Sequence, residues 1–365
     1  MRSVALLLSF AATLAALPAS APTFDQLAAQ ATAAREANDV AQAIQLYRQA
    51  LDANPAWPEG WWYLGTLFYD SDRYSSGQEA FAHFVKLDQN AAPGWSFLGL
   101  CEFETGNYAD ALDHIRRGLA SPEALPRETQ DVLRFHEALL LTRLGQFDAA
   151  LPVYMPFARS GSRDPELITG MGLDALGRPL LPKDVPADQR DLVMAAGKTA
   201  WLWTKGDTSE AERAFRDLLA AFSTSPGVHH FYGTWLLAGH PGEAVAEFQR
   251  ELQIDPHNAR ARAMIALMMM RAGQEKDALP LARQAAEDGP SVAMAHFVLG
   301  QLLVHAGDAS GVPQLEAAEK LDANNFEYRM ALAGAYSKFG RYDDARRERQ
   351  ASIAMAKQGD PDAKQ

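Results

Sequence analysis

Hydrophobic positions along this chain recur with a long period that contains two shorter, helical ones. A small or apolar residue returns at Ala43, Gly77, Ala111, Ala150, Ala211, Ala244, Ala278, Val312 and Ala345, and six of the eight spacings are 33 or 34 residues. In most of these places a large apolar side chain follows four residues later: Tyr47, Phe81, Ile115, Tyr154, Phe215 and Phe248. That spacing puts both on one face of a helix. A period near 34 residues is long enough for two short helices and the turns that join them. The pattern predicts nine helical pairs, starting near residues 24, 58, 92, 131, 192, 226, 259, 293 and 326.

The polar punctuation agrees with the apolar period. Gly106, Gly145, Gly206, Gly273, Gly307 and Gly340 fall between the two helices of a pair, with Asn38 and Asp72 in the same place earlier. Glycine, and less often asparagine or aspartate, accepts the left-handed conformation that ends a helix. Pro55, Pro256 and Pro290 follow second helices, where the chain must stop and turn. Gly65, Gly99, Gly233 and Gly300 mark places on first helices where a second helix approaches too closely for a side chain.

Two spacings break the period. The step from Ala111 to Ala150 is absorbed by a loop at Ser121 to Arg127, and the step from Ala150 to Ala211 carries an insertion at Pro165 to Asp191. Within the insertion Glu166 to Gly177 reads as one helix, and Pro179, Pro182 and Pro186 forbid a regular second one. This proline-rich strap has two readings: it crosses the concave side of the array, or Leu180, Leu181 and Val185 cover an edge left bare by a missing helix. Toward the end the pattern weakens, with Val312 at the small position and Glu316 and Arg349 where an aromatic is usual. The expected organisation is a signal peptide at 1–21, a first array at 24–164, the extra helix and strap at 165–191, a second array at 192–359 and a polar tail at 360–365.

Trp61, Leu64, Gly65, Phe68, Tyr74, Gly77 and Phe81, and then Trp95, Leu98, Gly99, Gly106, Tyr108, Ala111 and Ile115, together resemble the tetratricopeptide repeat. The resemblance implies an all-α, right-handed α-solenoid, or superhelix, of about nine helix-turn-helix pairs. It also implies a concave groove lined by the first helix of each pair. In that register the groove residues are Trp62, Thr66, Tyr69, Phe103, Phe135, Trp203, His230, Thr234, Met270, Arg271, Phe297 and His305. Leu100, Leu139, Ala200 and Leu237 fall in the same register and are equally readable as packing. An apolar, aromatic groove suits an extended or helical peptide whose side chains enter successive pockets. Some family members hold a terminal carboxylate with lysine, asparagine and arginine; here Thr32, Thr66, Leu100, Leu139, Ala200 and Thr234 stand where the asparagine would be.

Charge and chemistry narrow the picture. A net charge of −12 disfavours a broad basic face for nucleic acid or anionic lipid. Arg2, the apolar run Val4 to Leu17 and Ala19-Ser20-Ala21 read as an export signal, too short to span a bilayer, so the expected location is periplasmic or secreted. Pro22 after the cleavage position leaves retention as a tether open. Cys101 is the sole cysteine, which excludes an internal disulfide, and its register makes it core filler rather than a nucleophile. His229 and His230 point in different directions on a helix, His229 packed and His230 in the groove. No metal-binding, phosphate-binding or nucleophile-elbow motif occurs, so no enzyme activity, metal or cofactor is expected. The reading is a protein-binding scaffold of the envelope, monomeric or weakly oligomeric. An oligomerising solenoid with a self-filled groove and a groove for a small molecule or lipid are the alternatives.

Overall fold

A computed structural model describes residues 21–359; the signal-like residues 1–20 and the polar tail 360–365 lie outside the described residues. Among the described residues the regular structure is helical, with nineteen α-helices and three single-turn 3-10 segments. The chain divides into two compact units, at Asn90 and Ala91.

The first unit holds two pairs: α1 (Phe24–Glu36) with α2 (Val40–Ala53), and α3 (Pro58–Tyr69) with α4 (Tyr74–Leu87). Thr23 opens α1 with a capping box, its Oγ1 accepting from the Gln26 amide while Gln26 accepts from the Thr23 amide. Asn38 and Asp72 turn the pairs with φ of 57° and 54°, the left-handed conformation their position requires. A Cβ on Gly65 would lie 2.8 Å from the Phe81 ring, so the bare glycine lets that fully buried ring reach the facing helix.

The second unit holds seven further pairs and one additional helix. The pairs begin with α5 (Ala92–Thr105) and α6 (Tyr108–Leu119), then α7 (Arg127–Arg143) and α8 (Phe147–Arg159). The additional helix is α9 (Pro165–Ala175), followed by α10 (Arg190–Lys205) with α11 (Thr208–Phe222) and α12 (Val228–Leu236) with α13 (Pro241–Ile254). The last pairs are α14 (Ala259–Arg271) with α15 (Glu275–Asp288), α16 (Ala293–His305) with α17 (Gly311–Leu321), and α18 (Phe326–Lys338) with α19 (Tyr342–Gly359). The fourth pair starts earlier than the period indicates, because the loop before it is taken up by a 3-10 turn at Pro122–Ala124 and the chain re-enters helix directly after Pro126. Gln130 closes that loop by donating from Nε2 to the carbonyls of Pro122 and Leu125.

Ala111, Ala150, Ala211, Ala244, Ala278 and Ala345 are all completely buried, as are the rings of Tyr154, Phe215 and Phe248. Burying each such ring contributes about 1.5 to 3 kcal/mol. Cys101 is buried too, and burial first, with the neighbouring Glu102 and Glu104 adding, pushes its thiol up to about 12. It is therefore a small apolar filler of the α5 core.

Where the apolar pattern weakens, polar contacts replace it. Glu316 accepts from the Tyr336 hydroxyl at 2.7 Å and pairs with Arg341 at 3.0 Å. Arg349 donates to Ser337 Oγ, and Arg329 joins Glu319 of α17 to Glu348 of α19. The last two pairs are thus held partly by charge.

The inserted segment packs more tightly than the repeats around it. A Cβ on Gly172 would stand 2.0 Å from the Val193 carbonyl oxygen, and one on Gly197 would stand 1.9 Å from that of Ile168. Helices α9 and α10 therefore meet backbone against backbone. The strap that follows forms 3-10 turns at Pro182–Asp184 and Ala187–Gln189, with Leu181 and Val185 buried and Leu180 half-buried.

The second unit also makes contacts that skip several pairs. Asp148 at the start of α8 accepts from the Met294 amide at 3.2 Å, 146 residues on. Arg260 of α14 donates to the Asp174 carbonyl at the end of α9 and lies 4.9 Å from the Phe147 ring centroid. Both contacts bring the fourth pair and the inserted helix against later pairs.

Candidate functional site

The twelve groove positions separate in three dimensions into different environments. In the first unit Trp62 and Tyr69 are half-buried, Trp62 against Phe81 and Phe84 and Tyr69 against Tyr74. Thr66 turns its hydroxyl back to the Tyr63 carbonyl.

In the second unit three of the expected groove residues belong to the interior. Phe297 is 1% exposed, packed on Tyr328 with ring centroids 4.8 Å apart. His230 is 4% exposed against Phe248, and burial, reinforced by the Arg260 charge, holds its pKa well below the usual histidine value. Phe103 is closed in by Tyr108, by His136 at 4.8 Å and by the strap, whose Lys183 ammonium lies 5.7 Å from its ring centroid. Phe297 and Phe103 meet rings of the next first helix, whereas His230 packs on the second helix of its own pair. In the strap Leu181 and Val185 are buried, and Lys183 reaches a ring in the expected groove register.

Arg271 and His305 are exposed and bound to carboxylates, Arg271 to Glu327 at 3.8 Å and His305 to Glu275 at 3.0 Å. Phe135 is half-buried against Phe157, Met270 is half-buried on the core of the later pairs, and Thr234 donates to the His230 carbonyl. His229, expected to be packed, is buried with Nδ1 2.5 Å from Glu247 and Nε2 2.9 Å from the Ser223 carbonyl.

Trp203 lines an open cavity. The cavity encloses about 560 Å³ between the α10–α11 and α12–α13 pairs, within the size range of ligand pockets. Tyr232 and Trp235 form its second wall, their rings stacked at 5.7 Å and 16°. Phe215, completely buried, touches Trp203, Tyr232 and Trp235 and fixes their relative positions. Glu212 and Glu243 stand at the rim, with Arg216 held by Glu212 at 2.5 Å. The phenol of Tyr232 is pushed up first by burial and then by the carboxylates of Glu247, Glu243 and Glu212. Sequence periodicity assigns Trp203 alone to this place. The i, i+3 spacing of Tyr232 and Trp235 is the signal in the sequence that two rings share one helix face.

A second, polar centre lies beside the inserted helix. Asp174 is 2% exposed, and burial pushes its carboxyl up to about 8 despite the opposing charge of Arg260. Its Oδ1, like Arg260 Nε and His230 Nδ1, has no hydrogen-bond partner among the described residues. Glu251, completely buried, accepts from the amides of Gly227 and His230 and from Asn258 Nδ2. No group of three or more histidine, cysteine, aspartate or glutamate side chains suited to a metal ion occurs among the described residues. Nor, among those residues, is any helix long and apolar enough to cross a membrane.

Comparison with known proteins bears on the architecture. A sequence profile of the tetratricopeptide repeat matches residues 28–76, 64–126 and 269–311. The chain is 26% identical over 217 residues to cellulose synthase operon protein C of Xanthomonas axonopodis pv. citri (strain 306), a match covering 52% of this chain and 14% of that protein. It thus spans about one seventh of that relative's length. Among solved structures, MamA 41-end from Desulfovibrio magneticus RS-1 is 19% identical, with 46% of this chain and 97% of that one covered and a TM-score of 0.36. The MamA RS-1 ArsTM double mutant has the same identity and TM-score, with 47% of this chain covered. The chain thus carries tetratricopeptide repeats, matched at 28–126 and 269–311, within a longer succession of paired helices.

Proposed function

We propose that this repeat protein is a non-enzymatic scaffold of the cell envelope that holds a segment of a partner protein at the cavity beside Trp203. The carrying observation is the cavity itself: three half-buried rings, Trp203, Tyr232 and Trp235, line about 560 Å³ of open space. Aromatic side chains on rigid helices give large contact area at low entropic cost, which is what anchors a bound segment. Tetratricopeptide scaffolds act through protein partners, and the Arg2 to Ala21 pattern supports placement outside the cytoplasm.

The test is cross-linked affinity capture from the native envelope, comparing the parent with Trp203→Ala and with Phe135→Ala. Loss of a captured partner with Trp203→Ala, at unchanged melting temperature, is the expected outcome. Equal capture by parent and variant would sink the assignment to this cavity. A self-filled groove has specific support elsewhere in the second unit, where Lys183 covers Phe103 and Phe297 is core. Light scattering reads that alternative: a stable oligomer whose interface covers Trp203 would favour it.

A further inference from the structure

The second unit places its own cations over several rings, of which Trp95, Trp201 and Tyr336 are buried and Tyr108 is half-buried. The Arg117 guanidinium lies 3.6 Å from the Trp95 ring centroid, Arg143 5.0 Å from that of Tyr108, and Arg341 4.1 Å from that of Tyr336. Trp201 is approached by both Arg163 at 5.2 Å and Lys205 at 4.9 Å. A cation over a ring face is attracted by the ring quadrupole, and an arginine stem also shields the ring from water.

The rings of the cavity are treated differently. Among the described residues no lysine or arginine lies over Trp203, Tyr232 or Trp235. Their polar handles are unused as well. The Trp201 indole donates to the Ser162 carbonyl at 2.8 Å, whereas the indole N–H groups of Trp203 and Trp235 and the Tyr232 hydroxyl have no hydrogen-bond partner among the described residues. In place of covering cations the rim carries the carboxylates of Glu212 and Glu243, 49% and 69% exposed. Glu212 holds Arg216 and Glu243 holds His240 at 3.4 Å, and both pairs are solvent-exposed, so either is exchanged readily for a better-placed cation.

We propose that the cavity takes an arginine or lysine side chain presented by the partner segment, its cation seated against the Tyr232 and Trp235 rings and neutralised by Glu243 and Glu212. This rests on the scaffold reading of the same cavity and names the chemistry of its occupant. The site offers a ring face beside carboxylates, the combination that Arg341 meets at Tyr336 with Glu316 and Asp344, and its own cation, Arg216, is held on Glu212 and over none of the three rings. The net charge of −12 draws a basic segment from a distance. A neutral glycan would also stack on the rings, but it would leave the two carboxylates without a counter-charge.

The probes are acetyl-Ala-Ala-Arg-Ala-Ala-amide, the same peptide with glutamine for arginine, and cellohexaose, titrated calorimetrically into the purified full chain. The arginine peptide is expected to bind at least fivefold tighter than the glutamine peptide and to weaken as salt is raised. Trp235→Ala and, separately, Glu243→Gln are expected to remove that preference. Glu243 is exposed, so its variant keeps the parent's melting temperature and remains informative if Trp235→Ala fails to fold. Equal affinity for the two peptides, or a preference untouched by Glu243→Gln, overturns the proposal. Binding of cellohexaose without an arginine preference also overturns it and makes the rings a glycan platform. If partner capture depends on Trp203 while the arginine preference is absent, the scaffold reading stands and the cationic anchor falls. If the arginine preference is present while capture is independent of Trp203, the cationic anchor stands and the scaffold reading falls.

Discussion

Helices α5 and α6 form a regular repeat pair, whereas α9 and α10 meet outside the period, and the irregular contact is the closer one. At Gly99 an added Cβ would meet Ile115 Cγ1 at 2.8 Å and the Ala111 carbonyl at 3.0 Å. At Gly197 it would strike the Ile168 carbonyl oxygen at 1.9 Å, and at Gly172 the Val193 carbonyl oxygen at 2.0 Å. Both contacts involve helix backbone, with the Ile115 amide nitrogen also 2.9 Å away at Gly99, and helix backbone moves only with its helix; the difference lies in how much closer the carbonyls stand at Gly172 and Gly197. The inserted helix is thus bound to α10 by a backbone contact that has no slack, and the segment that breaks the repeat is among its most constrained parts.

The largest test of this contrast is Gly197→Leu, which is expected to cost more than about 4 kcal/mol and to prevent cooperative folding of the second unit in urea titrations. Gly99→Ala is the matched control, with an expected cost of about 1 to 2 kcal/mol. If Gly99→Ala proves more harmful than Gly197→Ala in the same titration, the contrast between the two contacts is wrong. Leu181→Ala, which empties a buried site under the strap, is expected to cost about 2 to 4 kcal/mol by thermal melting. A cost within error of zero would mean that the strap is not seated on the fold.

Asp174 gives the contrast a pH dependence. Its folded pKa near 8 lies above the ordinary 3.8, so the folded state holds the proton more tightly than the unfolded chain. The stability associated with this group is therefore full below about pH 4, is lost as pH rises toward about 8, and is level above that. Asp174→Asn is expected to exceed the parent in stability at pH 9 by about 2 kcal/mol, with the difference shrinking toward pH 4. Parallel stability curves for parent and variant across that range would show that burial does not govern this carboxyl.

The smallest effects belong to the exposed ends of first helices. Arg271→Ala and His305→Ala, each breaking a solvent-exposed pair, are expected to change stability by less than about 0.5 kcal/mol. A larger loss in either melt would move those residues from the surface into the structural frame.

Much of the fold was legible in one sequence because its signals are local. Ala111 and Ile115 are one helical turn apart, and the left-handed Gly106 sits between the helices it joins. Such features act within a single pair, and nine pairs repeat them. The candidate site was legible only in part for the same reason. Trp203 could be placed by register, but its partners Glu212 and Tyr232 come from a different helix and the next pair. The groove register misplaced Phe297 and His230, because it reports which way a side chain leaves its helix and not how closely the neighbouring helix stands.

What the sequence determined by itself was the pairing of helices, the turns, the burial of Cys101 and the position of the insertion. Only the tertiary structure decided that α9 and α10 touch through Gly172 and Gly197, that Asp148 meets Met294, and that the rings of Trp203, Tyr232 and Trp235 surround open space. Helical periodicity and turn conformation are set by residues a few positions apart. Which faces are finally covered depends on the accumulated rotation of successive pairs, to which every intervening helix contact contributes and which no local pattern records.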